Sequence, residues 1–361
     1  MDSTQSLAAG VPDLIDWFEK NKRPLPWRKS PSPYHVWVSE IMLQQTRIEA
    51  VIPYFERFMT ALPTVQALAE VPEDALMKLW EGLGYYSRAR NLQKAARQMA
   101  ELYSGELPAD YTALLSLPGI GEYTAGAVAS IAYNIPVPAV DGNVLRVLAR
   151  LTANREDITR PAVKKQFQTL AASLLPPDRP GAFNQALMEL GERVCLPNTI
   201  PRCETCPVRA VCAGHAAGIA AELPVRAPKK PRRIEEHTVL VAISNESVPR
   251  VLLHRRPAEG LLAGLWELPN LPGHIEPEKA AELLQTLGGS PAHYTALEPG
   301  KHIFTHVEWH MIGYRVSLEW FEPPTGYVWV NLRQLAEEYA LPTAFRLFSR
   351  LLPVLMKGEE A

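Results

Sequence analysis

Glu40 stands in the run WVSEIML, where Trp37, Val38, Ile41, Met42 and Leu43 would strip water from a carboxylate and raise its pKa. Taken alone it reads equally well as a glutamate on a helix surface. Asp141 stands in VPAVDGNVLRV beside Gly142, at a helix start, where an N-cap aspartate is the plain reading. Tyr123 lies eighteen residues before it, just after a glycine-rich loop, so one long helix would return Asp141 to the mouth of that loop. Carboxylates in contrasting surroundings can divide acid and counter-charge work at one bond. A third group is metallic in character. All four cysteines fall within eighteen residues as Cys195-x7-Cys203-x2-Cys206-x5-Cys212. Disulfides ordinarily staple distant loops, and a zinc ribbon offers two Cys-x2-Cys knuckles where this chain has one. A compact cuboidal iron–sulfur cluster is the favoured reading, with zinc and disulfides as the alternatives.

The glycine loop is SLPGIGEYTAG, residues 116–126. A P-loop would need Lys-Ser/Thr directly after its last glycine, and a dinucleotide fingerprint would need a preceding buried strand. Neither is present, since ADYTALLSL before the loop reads as a short helix. A helix ending near Leu117 and another starting near Tyr123 make a helix–hairpin–helix. Its glycines, Gly119 and Gly121, would turn the backbone and point N–H groups at a phosphate. An ordinary interhelical turn is the bland alternative.

Residues 1–225 read as almost wholly helical, with Val36, Trp37, Ile41, Ile48, Ile52, Phe55 and Phe58 at helical spacing. From about 235 the pattern becomes strand-like in HTVLVAIS, RVLLHRR, HIFTHVEWHMIGYRVSLEWF and YVWVN, with helices in PEKAAELLQTLGG and AFRLFSRLLPVLM. The expected organisation is a helical domain over 1–225, including the cysteine loop 195–212, a basic proline-rich linker over 226–235, and an α+β domain over 236–361. KKPRR in the linker could touch DNA but reads first as a solvated basic stretch. The formal net charge is −2, which argues against a purely electrostatic polyanion binder. Residues 1–233 nevertheless carry 27 Lys and Arg against 23 Asp and Glu, while 234–361 carry 10 against 16. A polyanion should meet the first part. The longest charge-free run, Tyr123 to Val140, is broken by Asn134, Pro136 and Pro138, so it reads as a buried helix and its exit, not a membrane span. With no basic, apolar leader at its start, the chain is expected to be cytoplasmic.

LPGIG with VDGNV resembles the helix–hairpin–helix, Gly/Pro-rich, Asp motif of the DNA glycosylase superfamily. LPWR (25–28), SEIMLQQT (39–46) and GLGYYSRARNL (82–92) narrow the resemblance to the MutY family of adenine DNA glycosylases, over nearly the whole chain. The fold class it implies is an N-terminal all-α helix–hairpin–helix glycosylase domain with an iron–sulfur loop, followed by an α+β Nudix-like domain. Bifunctional relatives carry a lysine at the Tyr123 position, which forms a Schiff base with the sugar and nicks the strand. A phenol cannot, so a monofunctional hydrolysis is implied.

The same resemblance makes Glu40 the general acid toward the leaving adenine. Asp141 would stabilise the oxocarbenium-like sugar, by its charge or a transient adduct, with Tyr123 and Asn143 beside it. Trp27, Arg28, Leu43 and Gln185 would line the pocket for a flipped adenine, although Trp27 and Leu43 alone read as core. Gln45 and Tyr85 would enter the duplex as wedges. Cys195, Cys203, Cys206 and Cys212 would hold one 4Fe–4S cluster. The family's usual first gap is six residues and here it is seven, so CLPNTIPRC should bulge without moving a ligand. Arg202 and Arg209 would meet phosphates or are ordinary surface arginines.

The second domain resembles a Nudix fold without its catalysis, because EPEKAAELLQTLGG lacks the acidic helix that holds magnesium. Phe304, Thr305 and His306 match the loop that in this family recognises 8-oxoguanine, with threonine where Phe-Ser-His is common. Viewed alone they read as plain strand. The implied partner is duplex DNA with an adenine:8-oxoguanine mispair, the protein being a nucleoid-associated, bacterial-type monomer. Two rivals remain: an endonuclease III-like glycosylase/lyase on oxidised pyrimidines, against which Tyr123 and the second domain speak, and a silent DNA-binding module, against which Glu40 with Asp141 speaks.

Overall fold

The computed structural model describes residues 3–228 and 230–356; Lys229 of the KKPRR run lies outside them. By contact density the chain divides into two compact units. One comprises the chain up to Glu70 together with Arg90–Pro228. The other comprises Val71–Ala89 together with the chain after Pro228. Residues 71–89, read from sequence as part of the helical domain, therefore cluster with the second unit. No helix among the described residues is long and apolar enough to cross a membrane.

The first unit is helical, and its helices are set by their apolar stripes. Helix Pro33–Leu43 starts at Ser32, whose side chain accepts from His35 N, an N-cap worth about 1 kcal/mol. Trp37, Val38 and Met42 on this helix are wholly enclosed. The glycine loop joins helix Tyr111–Leu115 to helix Glu122–Tyr133, as the sequence pattern predicts. Gly119 has φ +76°, and a Cβ there would lie 2.6 Å from Asn91 Cβ, so only glycine fits this turn. Gly126 serves packing instead: a Cβ would meet Pro138 O at 2.3 Å. Helix Glu122–Tyr133 ends on Asn134 in the left-handed conformation. The chain then returns extended to Asp141, which caps helix Gly142–Leu151 by accepting from Asn143 N and Val144 N. Val144, Val147, Leu148 and Leu151 of that helix pack with Phe183, Leu187 and Leu190 of helix Pro180–Arg193.

The second unit is built on a mixed sheet of seven strands among the described residues: β1 Arg233–Ser244, β2 Val251–Arg255, β3 Trp266–Glu267, β4 Asn270–Pro272, β5 Pro291–Ile303, β6 Val307–Leu318 and β7 Tyr327–Val330. Their order is β3-β2-β1-β6-β5, with β4 on β1 and β7 on β2. β1 and β6 run parallel, from Arg233 opposite Val307 to Ser244 opposite Leu318. Alternation along β1 decides the two cores. Val239, Val241 and Ile243 join Trp309, Phe345 and Phe348 on one face. Leu240 and Ala242 join Ala280 and Leu284 of helix Pro277–Thr286 on the other. Three sequence expectations shift in detail. The run 302–321 is not one strand but the end of β5, a turn and β6; β1 begins at Arg233, inside the expected linker; and 344–356 forms short helical pieces.

Segment 71–89 is tied to this unit by polar contacts. Lys78 Nζ donates to Leu335 O and Tyr339 O at 2.8 and 3.1 Å. Leu341 N donates to Glu81 Oε1 at 2.8 Å, and Arg255 pairs with Asp74 at 3.1 Å.

Candidate active site

A cavity of about 1140 Å³ opens in the helical unit, lined by Trp27, Arg28, Glu40, Leu43, Gln45, Tyr123, Asp141, Asn143 and Gln185 among others. These come from five separate stretches of sequence. Glu40 is 7% exposed and accepts from Tyr123 Oη at 2.5 Å. Burial pushes its carboxyl up to about 7; the Tyr123 hydrogen bond and the Arg28 charge oppose this, and the Asp141 charge adds to it. Asp141 is also raised by burial, but it accepts from Val144 N, Asn143 N and Asn143 Nδ2 at 2.7, 2.9 and 3.0 Å. Those three donors favour its ionised form. One carboxyl is thus fitted to carry a proton near neutrality and its neighbour to carry charge.

Arg28 and Gln185 face the same cavity, with Arg28 Nε donating to Gln185 Oε1 at 3.0 Å. Trp27 is buried edge-on against Phe55, centroids 5.3 Å apart, so it also belongs to the core. Gln45 and Tyr85 are both non-glycine residues at positive φ, +59° and +48°. Left-handed backbone costs a non-glycine residue on the order of 1 kcal/mol. Tyr85 belongs to the second unit and is 46% exposed. Gly119 and Gly121 sit on the exposed loop before helix Glu122–Tyr133; Gly121, the N-cap, has open space around it.

The four cysteines are free and line one small apolar cavity with Val147, Leu151, Leu190, Val194 and Val208. Arg150 Nη1 donates to Cys195 Sγ at 3.3 Å. Among the described residues no group of three or more His, Cys, Asp or Glu side chains is set to share a single ion. Arg146 spans from the cavity to this loop, giving Nη2 to Asn143 Oδ1 at 3.0 Å and Nε to Cys195 O at 2.9 Å. Arg202 and Arg209 are exposed, in the loop and just before its last cysteine.

In the second unit, Phe304, Thr305 and His306 form the turn between β5 and β6, closed by Phe304 N to Val307 O at 2.8 Å. They are not strand. Phe304 packs edge-on to Trp309 at 5.0 Å and to His302 at 4.6 Å. Thr305 Oγ1 lies 3.0 Å from Tyr85 Oη.

Sequence reasoning missed four residues of the cavity region. Asn184, 1% exposed, accepts from Ala139 N at 3.0 Å and donates to Val137 O and Ser130 Oγ at 2.9 and 2.8 Å, clamping the segment that delivers Asp141. Arg23, Glu189 and Glu192 form an ion-pair chain beside Arg28. Their only signal is a polar residue at a core position of a helical pattern, as in FNQALMEL.

Residues 38–173 match the HhH-GPD superfamily of base excision DNA repair proteins, and 238–350 match the NUDIX domain. The fold and site therefore define a helix–hairpin–helix DNA glycosylase domain joined to a Nudix-like mixed sheet. The chain is 36% identical to the adenine DNA glycosylase of Rattus norvegicus over 93% of its length and 77% of that protein's. It is 30% identical to that of Buchnera aphidicola subsp. Schizaphis graminum over 89% of its length and 92% of that protein's. A solved thermostable thymine-DNA glycosylase superposes with a TM-score of 0.54 at 26% identity, covering 60% of this chain and 100% of that one. The chain belongs to the adenine DNA glycosylase family, a family of DNA N-glycosylases and thus of hydrolases.

Proposed function

We propose that this protein removes adenine mispaired with 8-oxoguanine or guanine from duplex DNA by hydrolysing the N-glycosidic bond, as a monofunctional enzyme. The observation that carries the reading is the pairing of a buried Glu40, held by Tyr123, with a multiply hydrogen-bonded Asp141 in one cavity. Glu40 gives its proton to a ring nitrogen of adenine. The bond between sugar C1′ and adenine N9 then breaks with its electron pair leaving on the base. Asp141 balances the cation at C1′ until a water oxygen bonds there and its proton passes to a carboxylate. Tyr123 holds Glu40 in place, Asn143 holds Asp141, and Trp27, Arg28, Leu43 and Gln185 enclose the base.

Gln45 and Tyr85 act as wedges in the opened duplex, and the N–H groups around Gly119 and Gly121 grip the backbone. Phe304, Thr305 and His306 meet the 8-oxoguanine; threonine retains the hydroxyl that a serine would offer. Cys195, Cys203, Cys206 and Cys212 would hold one 4Fe–4S cluster. Four cysteines lining one small apolar cavity fit the donor set that such a cluster would need. Bound there, it would fasten the loop 195–212.

Single-turnover base release from duplexes bearing adenine opposite 8-oxoguanine, guanine or thymine tests the reading. Adenine should leave fastest opposite 8-oxoguanine, with strand scission only after alkali. Release of oxidised pyrimidines with strand nicking in place of adenine would sink it.

A further inference from the structure

Glu189 is a carboxylate with 1% of its side chain exposed, and both its oxygens are taken by arginines. Arg23 Nε donates to Oε1 at 2.6 Å and Arg28 Nη2 to Oε2 at 3.0 Å. Arg23 continues through Nη2 to Glu192 Oε2 at 2.5 Å, so charges alternate along Arg28, Glu189, Arg23 and Glu192, and Arg193 Nη1 lies 3.8 Å from Glu189 Oε1. All four line the cavity that holds Glu40 and Asp141. At one end of this chain the Arg28 fork is fixed at three points: Glu189, the Arg23 carbonyl at 3.2 Å, and Gln185 Oε1 at 3.0 Å.

The last contact has a chemical consequence. A guanidinium only donates, so the Gln185 amide must turn its oxygen to Arg28. Its nitrogen then faces the other way, with one N–H on Gly181 O at 3.3 Å and the second available to a ligand in the cavity. A wall that offers an N–H meets a ring-nitrogen acceptor, of which adenine has three. With the amide reversed, the wall would offer an oxygen and repel the same acceptor.

We infer that Glu189 is a positioning residue for base recognition: clamped between Arg23 and Arg28, it sets the Arg28 fork and thereby the amide orientation with which Gln185 meets the purine. This rests on the assignment of the cavity to adenine. In this arrangement Glu189 acts on the base through Arg28 and Gln185. A carboxylate that merely holds helix Pro180–Arg193 against residues 23–28 would act independently of Gln185.

The test is a double-mutant cycle on the full-length protein, read as the maximal single-turnover rate of adenine release opposite 8-oxoguanine. Glu189→Gln and Gln185→Ala should each slow release, Glu189→Gln by on the order of 10²-fold as expected for a misplaced recognition group. The double variant should be within about twofold of the slower single variant, because both changes break one arrangement. Glu189→Gln also leaves Arg28 without its counter-ion, so the Glu40 carboxyl drops and the alkaline fall in rate moves to lower pH. Glu189→Asp, which keeps the charge, should leave that fall where it is. Multiplying effects in the double variant, or an unmoved pH profile in Glu189→Gln, would overturn the inference. Should Glu189→Gln not fold, Glu189→Asp with Gln185→Ala completes the same cycle. A wild-type protein that releases no adenine would instead remove the reading of the cavity itself.

Discussion

Tyr123 Oη donates to Glu40 Oε2 across 2.5 Å, although 83 residues separate the two. The hydrogen bond stabilises the ionised carboxylate, while burial, the larger effect, stabilises the neutral acid; the balance lands at about 7. An acid poised there can donate at neutral pH and recover its proton afterward.

Glu40→Gln removes the proton and should slow base release by about 10²–10⁴-fold, with duplex binding within a few-fold of wild type. In the wild type, release should fall as pH rises through about 7, because only protonated Glu40 donates. Tyr123→Phe deletes a contact that lowers the Glu40 carboxyl, so that fall should move to higher pH. A rate profile flat from pH 6 to 9 would contradict the assignment.

Stability should report the same carboxyl. Its folded pKa is raised from 4.5 to about 7, so the protein loses stability as pH climbs through that window and burial of a charge becomes obligatory. Glu40→Gln should therefore be more stable than wild type at pH 8 but not at pH 4, by on the order of 3 kcal/mol at most. Denaturant melts at the two pH values check the difference.

Tyr123→Lys places an amine where the phenol now stands, and the variant should yield adducts trapped by borohydride. The wild type should leave an intact abasic strand that breaks only in alkali. Efficient trapping by the wild type would reverse the monofunctional reading.

Purified protein should be yellow-brown, with about four irons and four sulfides per chain. Cys203→Ser should bleach it and loosen the loop 195–212 to proteolysis. Stoichiometric zinc in a colourless, fully active preparation would count decisively against the cluster.

Phe304→Ala with His306→Ala should leave adenine release opposite guanine nearly intact. It should reduce the advantage opposite 8-oxoguanine by on the order of 1–3 kcal/mol, the worth of a good base-specific contact. The ratio of the two rates is the informative number. Truncation near Pro228 is a poorer probe, because Val71–Ala89 would lose the Leu335, Tyr339 and Leu341 backbone it is bonded to. An unchanged ratio in the folded double variant would move recognition to Gln45 and Tyr85.

What could be read from the residues alone is what depends on neighbours in the chain. The cysteine spacing, the Leu-Pro-Gly-Ile-Gly turn, the Asp141 cap and the change from helical to strand periodicity are local, and local geometry follows from nearby residue types. Phe304, Thr305 and His306 escaped this reading, since a tight turn between two long strands interrupts the alternation for only three residues. What folding alone decided is which distant groups meet. Asn184 clamps the approach to Asp141 from 45 residues away, Glu189 reaches Arg23 across 166, and Val71–Ala89 joins a unit whose other members begin after Pro228. Such contacts are hydrogen bonds and ion pairs made by buried and part-buried polar groups, which find partners wherever the fold supplies them. They leave no periodic mark in the sequence, only an unexplained polar residue where a core residue should be.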